Sequence, residues 1–184
     1  MALLEELLAR HQAHDAGAFA ELYGLLHPRL VRFFRAWTAS RAEADDLAQA
    51  TLVRIHEVRH TYERGRPAGP WVWAIARNIR VDEARRFAAR GRQRETLEAE
   101  PEEAEPPPDE RLDQASEDRE VRQAVAALPD AQREVIALHH FEGLPLKEVA
   151  AAVGCTLSAA KLRAHRGYET LRRVLRRPIE KGGT

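Results

Sequence analysis

A single cysteine, Cys155, in 184 residues leaves no internal disulfide and no cysteine-based zinc site. Burial of apolar side chains must hold the fold. No run approaches the roughly 18 uninterrupted apolar residues of a bilayer-spanning helix, and the opening MALLEELLARHQ carries Glu5, Glu6 and Arg10 where a signal peptide is apolar. A cytoplasmic location without membrane insertion is therefore expected. The chain also lacks a glycine-rich phosphate loop, a nucleophile elbow and a paired catalytic constellation, so nothing supports an enzyme. His56 and His60 share the i, i+4 spacing of a metal pair, but no third ligand accompanies them. Neither metal nor cofactor is expected.

Net charge is absent as well, with 29 basic and 29 acidic side chains, yet the neutral total hides a partition. Residues 1 to 94 hold 16 basic and 11 acidic groups, residues 95 to 120 hold 2 and 12, and residues 121 to 184 hold 11 and 6. Two basic ends flank an acidic middle. Such asymmetry points to an anionic partner for the ends.

The middle, Glu95 to Ser116, sets Pro101, Pro106, Pro107 and Pro108 among nine acidic residues, with Leu97 and Leu112 its only large aliphatics. It reads as a self-repelling tether that cannot fold alone. The expected organisation is all-α, with an N-terminal helical bundle at 1–94, a linker at 95–112 and a helix-turn-helix domain at 113–184.

In the first domain apolar residues recur at helical spacing and no run alternates with period two. Phe19, Leu22, Tyr23, Leu26, Leu30 and Phe33 form one stripe, with Asp15 as N-cap and a break or bend at Pro28. Ser40-Arg41-Ala42-Glu43 is a capping box opening a helix with Leu47, Leu52, Ile55 and Val58 on one side. Its other side, with Asp45, Asp46, Gln49, Arg54 and Glu57, is polar. After the turn-rich loop from Glu63 to Pro70, a third helix carries Trp71, Ile75 and Ile79 and runs to about Arg90.

The second domain repeats this pattern in shorter pieces. One helix is expected from about Glu117 to Ala127, a second capped by Asp130 and ended by Gly143, and a third from Leu146 to Val153. Gly154 takes the left-handed turn, and Thr156 or Ser158 caps the last helix. Two helices joined by so short a turn make a helix-turn-helix, and Cys155 in that turn is expected to be buried.

Two surfaces suit nucleic acid. The last helix presents Ser158, Lys161, Arg163, His165 and Arg166 where a major-groove reader contacts phosphates and guanine edges. In the first domain, tryptophans stand among Arg64, Arg66, Arg77, Asn78, Arg80, Arg85 and Arg86, a pairing of aromatic faces and cations that suits an unpaired strand. Residues at i and i+2 cannot share a helix face, so Trp71 is expected inside and Trp73 partly exposed.

In order and spacing these strings resemble the extracytoplasmic-function sigma factors, small promoter-specificity subunits of bacterial RNA polymerase. The resemblance rests on Phe19-x-x-Leu22-Tyr23, on Ala44-Asp45-Asp46-Leu47-x-Gln49-x-Thr51-Leu52, and on Trp71-x-x-x-Ile75-Ala76-Arg77-Asn78-x-x-x-Asp82-x-x-Arg85-Arg86. It continues in Leu128-Pro129-x-x-x-Arg133-Glu134-Val135 and in Lys161-x-Arg163-x-His165-Arg166. It implies that Asp45, Asp46, Gln49, Leu52 and Arg54 dock on the polymerase core. It implies that Arg64, Arg66, Trp73, Arg77, Asn78, Arg80, Arg85 and Arg86 melt and hold the minus-ten strand, and that the last helix reads the minus-thirty-five duplex. Many members are held by an anti-sigma protein, and the resemblance implies such a partner here. Two positions depart from the family: Ala50 stands where an acid is usual, and Ser158-Ala159-Ala160-Lys161 replaces Gly-Thr-Val-Lys. The alternative function is a stand-alone helix-turn-helix regulator.

The composition of the tether generates a first prediction. Mild proteolysis should cut between Glu95 and Ser116, because nothing in that span can pack. A chain that resists cleavage there would show the linker to be buried.

Overall fold

The computed structural model describes residues 2–94, 120–121 and 123–175, and all regular structure among them is helical. The first half comprises α1 (Ala2–Gln12), α2 (Ala18–Phe34), α3 (Arg41–Val58), a 3-10 turn (Arg59–Thr61) and α4 (Ala68–Arg94). The second half has a helical piece at 123–126, then α5 (Asp130–Ile136), a π-helical turn (Ala137–Phe141), α6 (Leu146–Val153) and α7 (Leu157–Leu175). The tether expected at 95–112, the domain start at 113 and the beginning of the helix expected from Glu117 lie outside the described residues.

Local chemistry accounts for most helix ends. The Ser40 hydroxyl accepts from the Glu43 amide at 3.1 Å, while the Glu43 carboxylate accepts from Ala39, one residue earlier than in a regular capping box. At α2 the N-cap is Gly17, and Asp15 sits two residues ahead, accepting from the Gly17 amide at 2.9 Å and from Arg10 at 2.8 Å. Pro28 does not break α2, which runs through it. Asp130 is the first residue of α5 rather than its cap, a place Pro129 takes. The helix expected to continue from it to Glu142 instead widens into the π turn, where His139 Nδ1 lies 2.7 Å from the Leu144 carbonyl. Before α7 the Thr156 hydroxyl accepts from Ala159 at 3.2 Å, so Thr156 and not Ser158 caps the helix.

Helix α1 was not anticipated, although Leu4, Leu7 and Leu8 at i, i+3 and i+4 are all buried. They join Leu22, Leu26, Leu30, Phe33 and Phe34 of α2 and Ala44, Ala48, Leu52 and Ile55 of α3 in one core. That core does not stop at the first half. Val149, Ala152 and Val153 of α6 and Val135, Ala137 and Leu138 belong to the same cluster as Val72, Trp73 and Ala76 of α4. The halves are therefore packed on each other through α4 and α6.

Two glycines shape the second half. Gly154 adopts the left-handed conformation (φ 68°, ψ 43°) that ends α6, and the next amide, Cys155, donates to Ala150 at 2.9 Å. Cys155, expected to be buried, is only partly so: it packs at the margin of the core, with its Sγ 3.5 Å from the Thr156 carbonyl. Gly167 serves close approach: a Cβ there would stand 2.8 Å from Cγ1 of Ile136.

Gly167→Ala should therefore destabilise the protein by about 1–3 kcal/mol in urea denaturation, as overpacking does. Gly24→Ala, where an added Cβ meets nothing within 4 Å inside α2, should stabilise it by about 0.5–1 kcal/mol. An equal response of the two variants would mean that α5 and α7 do not meet at Gly167.

A second prediction concerns pH. Glu148 of α6 has its carboxyl pKa pushed above the ordinary 4.5, first by burial and then by the charge of Glu5. A raised acid favours folding when protonated and loses that contribution as pH rises from the ordinary carboxylate value through its own. Glu148→Gln, which mimics the neutral form, should raise the melting temperature at neutral pH and give a smaller gain near pH 4.5. A gain that grows on acidification contradicts the assignment.

Candidate nucleic-acid interface

Helix α3 buries Ala44, Ala48, Thr51, Leu52 and Ile55, which turns Asp46, Gln49, Val53, Arg54 and Glu57 outward. Leu52, expected among the docking residues, is only 1% exposed and belongs to the core, since it shares the inward stripe with Ala48 and Ile55. Asp45 is half-buried, with His27 Nε2 3.4 Å from its carboxylate. Arg54 pairs with Glu57 at 3.0 Å. Val53, which the polar reading of this face passed over, is 56% exposed in its middle. An apolar side chain left in water amid a charged face is the signal that could have found it.

The two tryptophans of α4 exchange the places expected of them. Trp73 is 1% exposed and packs 5.2 Å from the Phe33 ring, with the Arg29 guanidinium 5.8 Å from its centre. Trp71 is the half-buried one. Its indole N–H donates to Thr61 at 3.1 Å, and its ring lies 5.5 Å from Tyr62. The reversal arises because α4 is packed on two sides, by α3 and by α6, so its buried residues are Ala68, Gly69, Val72, Trp73, Ala76 and Arg80. The stripe of Trp71, Ile75 and Ile79 lies at the edge of this broad contact.

Trp71 divides two open grooves. One, of about 510 Å³, runs along α4 past Ile75, Asn78 and Arg85, with Arg54 of α3 opposite. The other, of about 260 Å³, is formed with Tyr62, Arg66, Pro67 and Pro70 of the loop. An aromatic edge between two open grooves, each with an arginine on its wall, suits unpaired bases better than a flat duplex face.

The cations expected here do not share one fate. Arg64 is exposed and tied to Gln12 at 2.8 Å and to the Ala9 carbonyl at 3.2 Å. Arg66 pairs with Glu63 at 2.6 Å, and the Tyr62 hydroxyl donates to its carbonyl. Asn78, Arg85 and Arg86 are exposed, the arginines loosely paired with Asp82 and Glu83 one turn back. Arg77 and Arg80 differ. Both reach Glu134 of α5, Arg77 at 3.2 Å, and Arg80 is 8% exposed with its guanidinium 4.8 Å from the Trp37 ring centre.

Helix α7 keeps Ala160, Ala164 and Gly167 inside. Ser158, Lys161, His165 and Arg166 occupy the opposite, exposed side, and Arg163 is half-buried on its flank. His165 lies 3.5 Å from Glu169, while Lys161 and Arg166 have no ion pair among the described residues. Small residues inward and cations outward leave the first turns of this helix ready for a groove.

The Sigma-70 region 2 family matches residues 22–90, and the Sigma-70 region 4 family matches residues 118–171. RNA polymerase sigma factor CarQ of Myxococcus xanthus is 33% identical over 172 residues, covering 90% of this chain and 92% of that one. ECF RNA polymerase sigma factor SigF of Caulobacter vibrioides is 31% identical over 182 residues, covering 95% and 94%. The chain belongs to the ECF sigma factors. Its function is that of a promoter-specific sigma factor of RNA polymerase, and a stand-alone regulator is not favoured. The fold agrees with two solved structures. The sigma factor RpoE bound to the anti-sigma factor NepR, from Bartonella quintana, matches with a TM-score of 0.70 at 24% identity, over 86% of this chain and 97% of that one. CnrH bound to the cytosolic domain of CnrY matches with a TM-score of 0.69 at 22% identity, over 94% and 97%. Among the described residues of this sigma factor, no helix is long and apolar enough to cross a membrane.

Proposed function

We propose that this ECF sigma factor divides initiation among three faces. The outward side of α3, with Asp46, Gln49, Val53 and Arg54, docks on core polymerase; Leu52 supports that face from inside. Trp71, Asn78, Arg85 and Arg86, with Arg64 and Arg66 of the loop and Arg77 and Arg80 of α4, hold the unpaired minus-ten strand. Ser158, Lys161, His165 and Arg166, flanked by Arg163, read the minus-thirty-five duplex. The observation that carries this division is the exposed cationic row on α7, which has small residues behind it and, among the described residues, no acid paired with Lys161 or Arg166.

The chain supplies binding free energy and catalyses no reaction of its own. Work with the polymerase supports a cytoplasmic location for the chain. One solved neighbour, RpoE, is a sigma factor held by the anti-sigma factor NepR, which supports an anti-sigma partner for this chain too.

The test compares variants on two templates. Lys161→Ala and Arg166→Ala should weaken binding to intact minus-thirty-five duplex. Each should lower the salt slope by about 1, because a lost phosphate contact releases fewer counterions. Asn78→Ala and Arg85→Ala should instead impair open-complex formation on duplex DNA, and a template already mismatched around the start site should relieve them. Relief is expected because unstacking a base costs a few kcal/mol that premelted DNA no longer requires. Equal losses on both templates for both sets would sink the division.

A further inference from the structure

Helix α1 holds more than the core. Leu4, Leu8 and His11 are buried, and the line beside them, Glu5, Ala9 and Gln12 at i, i+4 and i+7, meets the segment that joins α3 to α4. At one end of that line the Glu5 carboxylate accepts from the Ala68 amide at 2.9 Å, so an unpaired N–H at the start of α4 is satisfied from 63 residues away. At the other end Gln12 Nε2 donates to the Arg59 and Tyr62 carbonyls, each at 2.7 Å, which bracket the 3-10 turn. Gln12 Oε1 accepts from Arg64 Nε at 2.8 Å, and Arg64 Nη2 donates to the Ala9 carbonyl at 3.2 Å, where a cation meets the C-terminal turn of α1.

These partners leave the Gln12 carboxamide a single orientation. Two carbonyls can only accept and a guanidinium can only donate, so the nitrogen faces the turn and the oxygen faces Arg64. A glutamate there would lack the donors, and an asparagine would be one methylene short. The turn fixed in this way carries part of the edge that divides the grooves. The Thr61 hydroxyl receives the Trp71 indole N–H, and the Tyr62 ring lies beside Trp71 while its hydroxyl donates to the Arg66 carbonyl at 2.6 Å. Thr61, Tyr62 and Arg66 line the smaller groove with Trp71, whereas Gln12 lines neither groove. Any effect of Gln12 on a strand must therefore pass through the turn.

We infer that Gln12 is a positioning residue for the unpaired strand: from α1 it fixes the Arg59–Tyr62 turn and Arg64, and so presets the groove beside Trp71 before DNA arrives. The inference rests on the strand-holding role of that edge proposed above. A loop already held in its bound shape loses less freedom on binding, so removing the clamp lowers strand affinity although no group lining the groove has changed.

Holoenzyme assembled from core polymerase and the full chain tests this. Fluorescence anisotropy reads its affinity for labelled single-stranded DNA with the non-template sequence of a promoter that it opens, and for minus-thirty-five duplex alone. Hydrogen exchange in the free chain reads the order of the loop. Gln12→Leu keeps the bulk of the side chain and removes all three of its hydrogen bonds. It should speed amide exchange across residues 59–66 and weaken strand binding about tenfold, while duplex binding, core affinity and helix content stay as they are. Gln12→Glu keeps the acceptor for Arg64 but aims a carboxylate at two carbonyls. It should act in the same direction, and it takes the place of Gln12→Leu if circular dichroism shows that the latter loses helix. Unchanged exchange overturns the inference, and so does faster exchange with undiminished strand affinity. Equal losses on strand and duplex overturn it too, since they mark a role in stability alone. Failure of the strand-holding role itself shows separately: Trp71→Ala would then leave strand binding unaltered.

Discussion

A buried carboxylate with no counter-charge costs several kcal/mol, and this protein buries two of them, Glu134 and Glu142, between its halves. The second half could not keep these acids inside alone, because the arginines that satisfy both stand on the first half. The charge pairs and the apolar contact of α4 with α6 thus specify one arrangement together. The apolar faces give most of the attraction, being non-directional, while the arginine forks fix register. Arg133 shows the same coupling at a smaller scale. It donates to the Leu128 carbonyl at 2.8 Å within its own half and to the Ala36 carbonyl at 3.3 Å across the boundary.

This two-sided use of α4 explains what could and could not be read beforehand. The Ser40–Glu43 cap, the Leu22, Leu26, Leu30 and Phe33 stripe and the Gly154 turn depend on neighbours a few residues apart, and each appears where the spacing placed it. The exposed cations of α7 were legible for the same reason. Small residues at 160, 164 and 167 mark the inner side of that helix, and the rest faces outward. Trp71 and Trp73 were exchanged because periodicity in one helix finds a single buried stripe, whereas α4 has a contact on each side. Leu52 was misplaced by its motif: it sits beside the polar face in sequence but points with Ala48 and Ile55 into the core. Helix α1 was legible in Leu4, Leu7 and Leu8 and was passed over when the N-terminus was weighed only as a targeting segment.

The partners of Arg77 and Arg80 lay beyond any local reading. Sign and spacing show that α4 is rich in cations, but a charge seen in sequence has no partner assigned to it. Glu134 and Glu142 are more than fifty and a hundred residues away from the arginines they meet. Long-range pairs of this kind are also the ones whose removal leaves an uncompensated ion inside the protein.

The charge partition of the chain acquires a spatial meaning from these contacts. Between residues 123 and 175 the acids are Asp130, Glu134, Glu142, Glu148 and Glu169. The first three meet arginines of the first half, and Glu148 lies against Gly69 at the start of α4. Only Glu169 shares the outer side of α7 with the cations. Between residues 123 and 175, folding therefore turns Glu134, Glu142 and Glu148 toward α2 and α4 and the cations of α7 toward solvent, although the chain as a whole is neutral. The outer side of α7 keeps Lys161, His165 and Arg166 exposed in this arrangement. Arg77 and Arg80 of α4, by contrast, end on the Glu134 carboxylate of α5. One neutral chain thus presents Lys161, His165 and Arg166 outward on α7 while Arg77 and Arg80 of α4 meet an acid of α5.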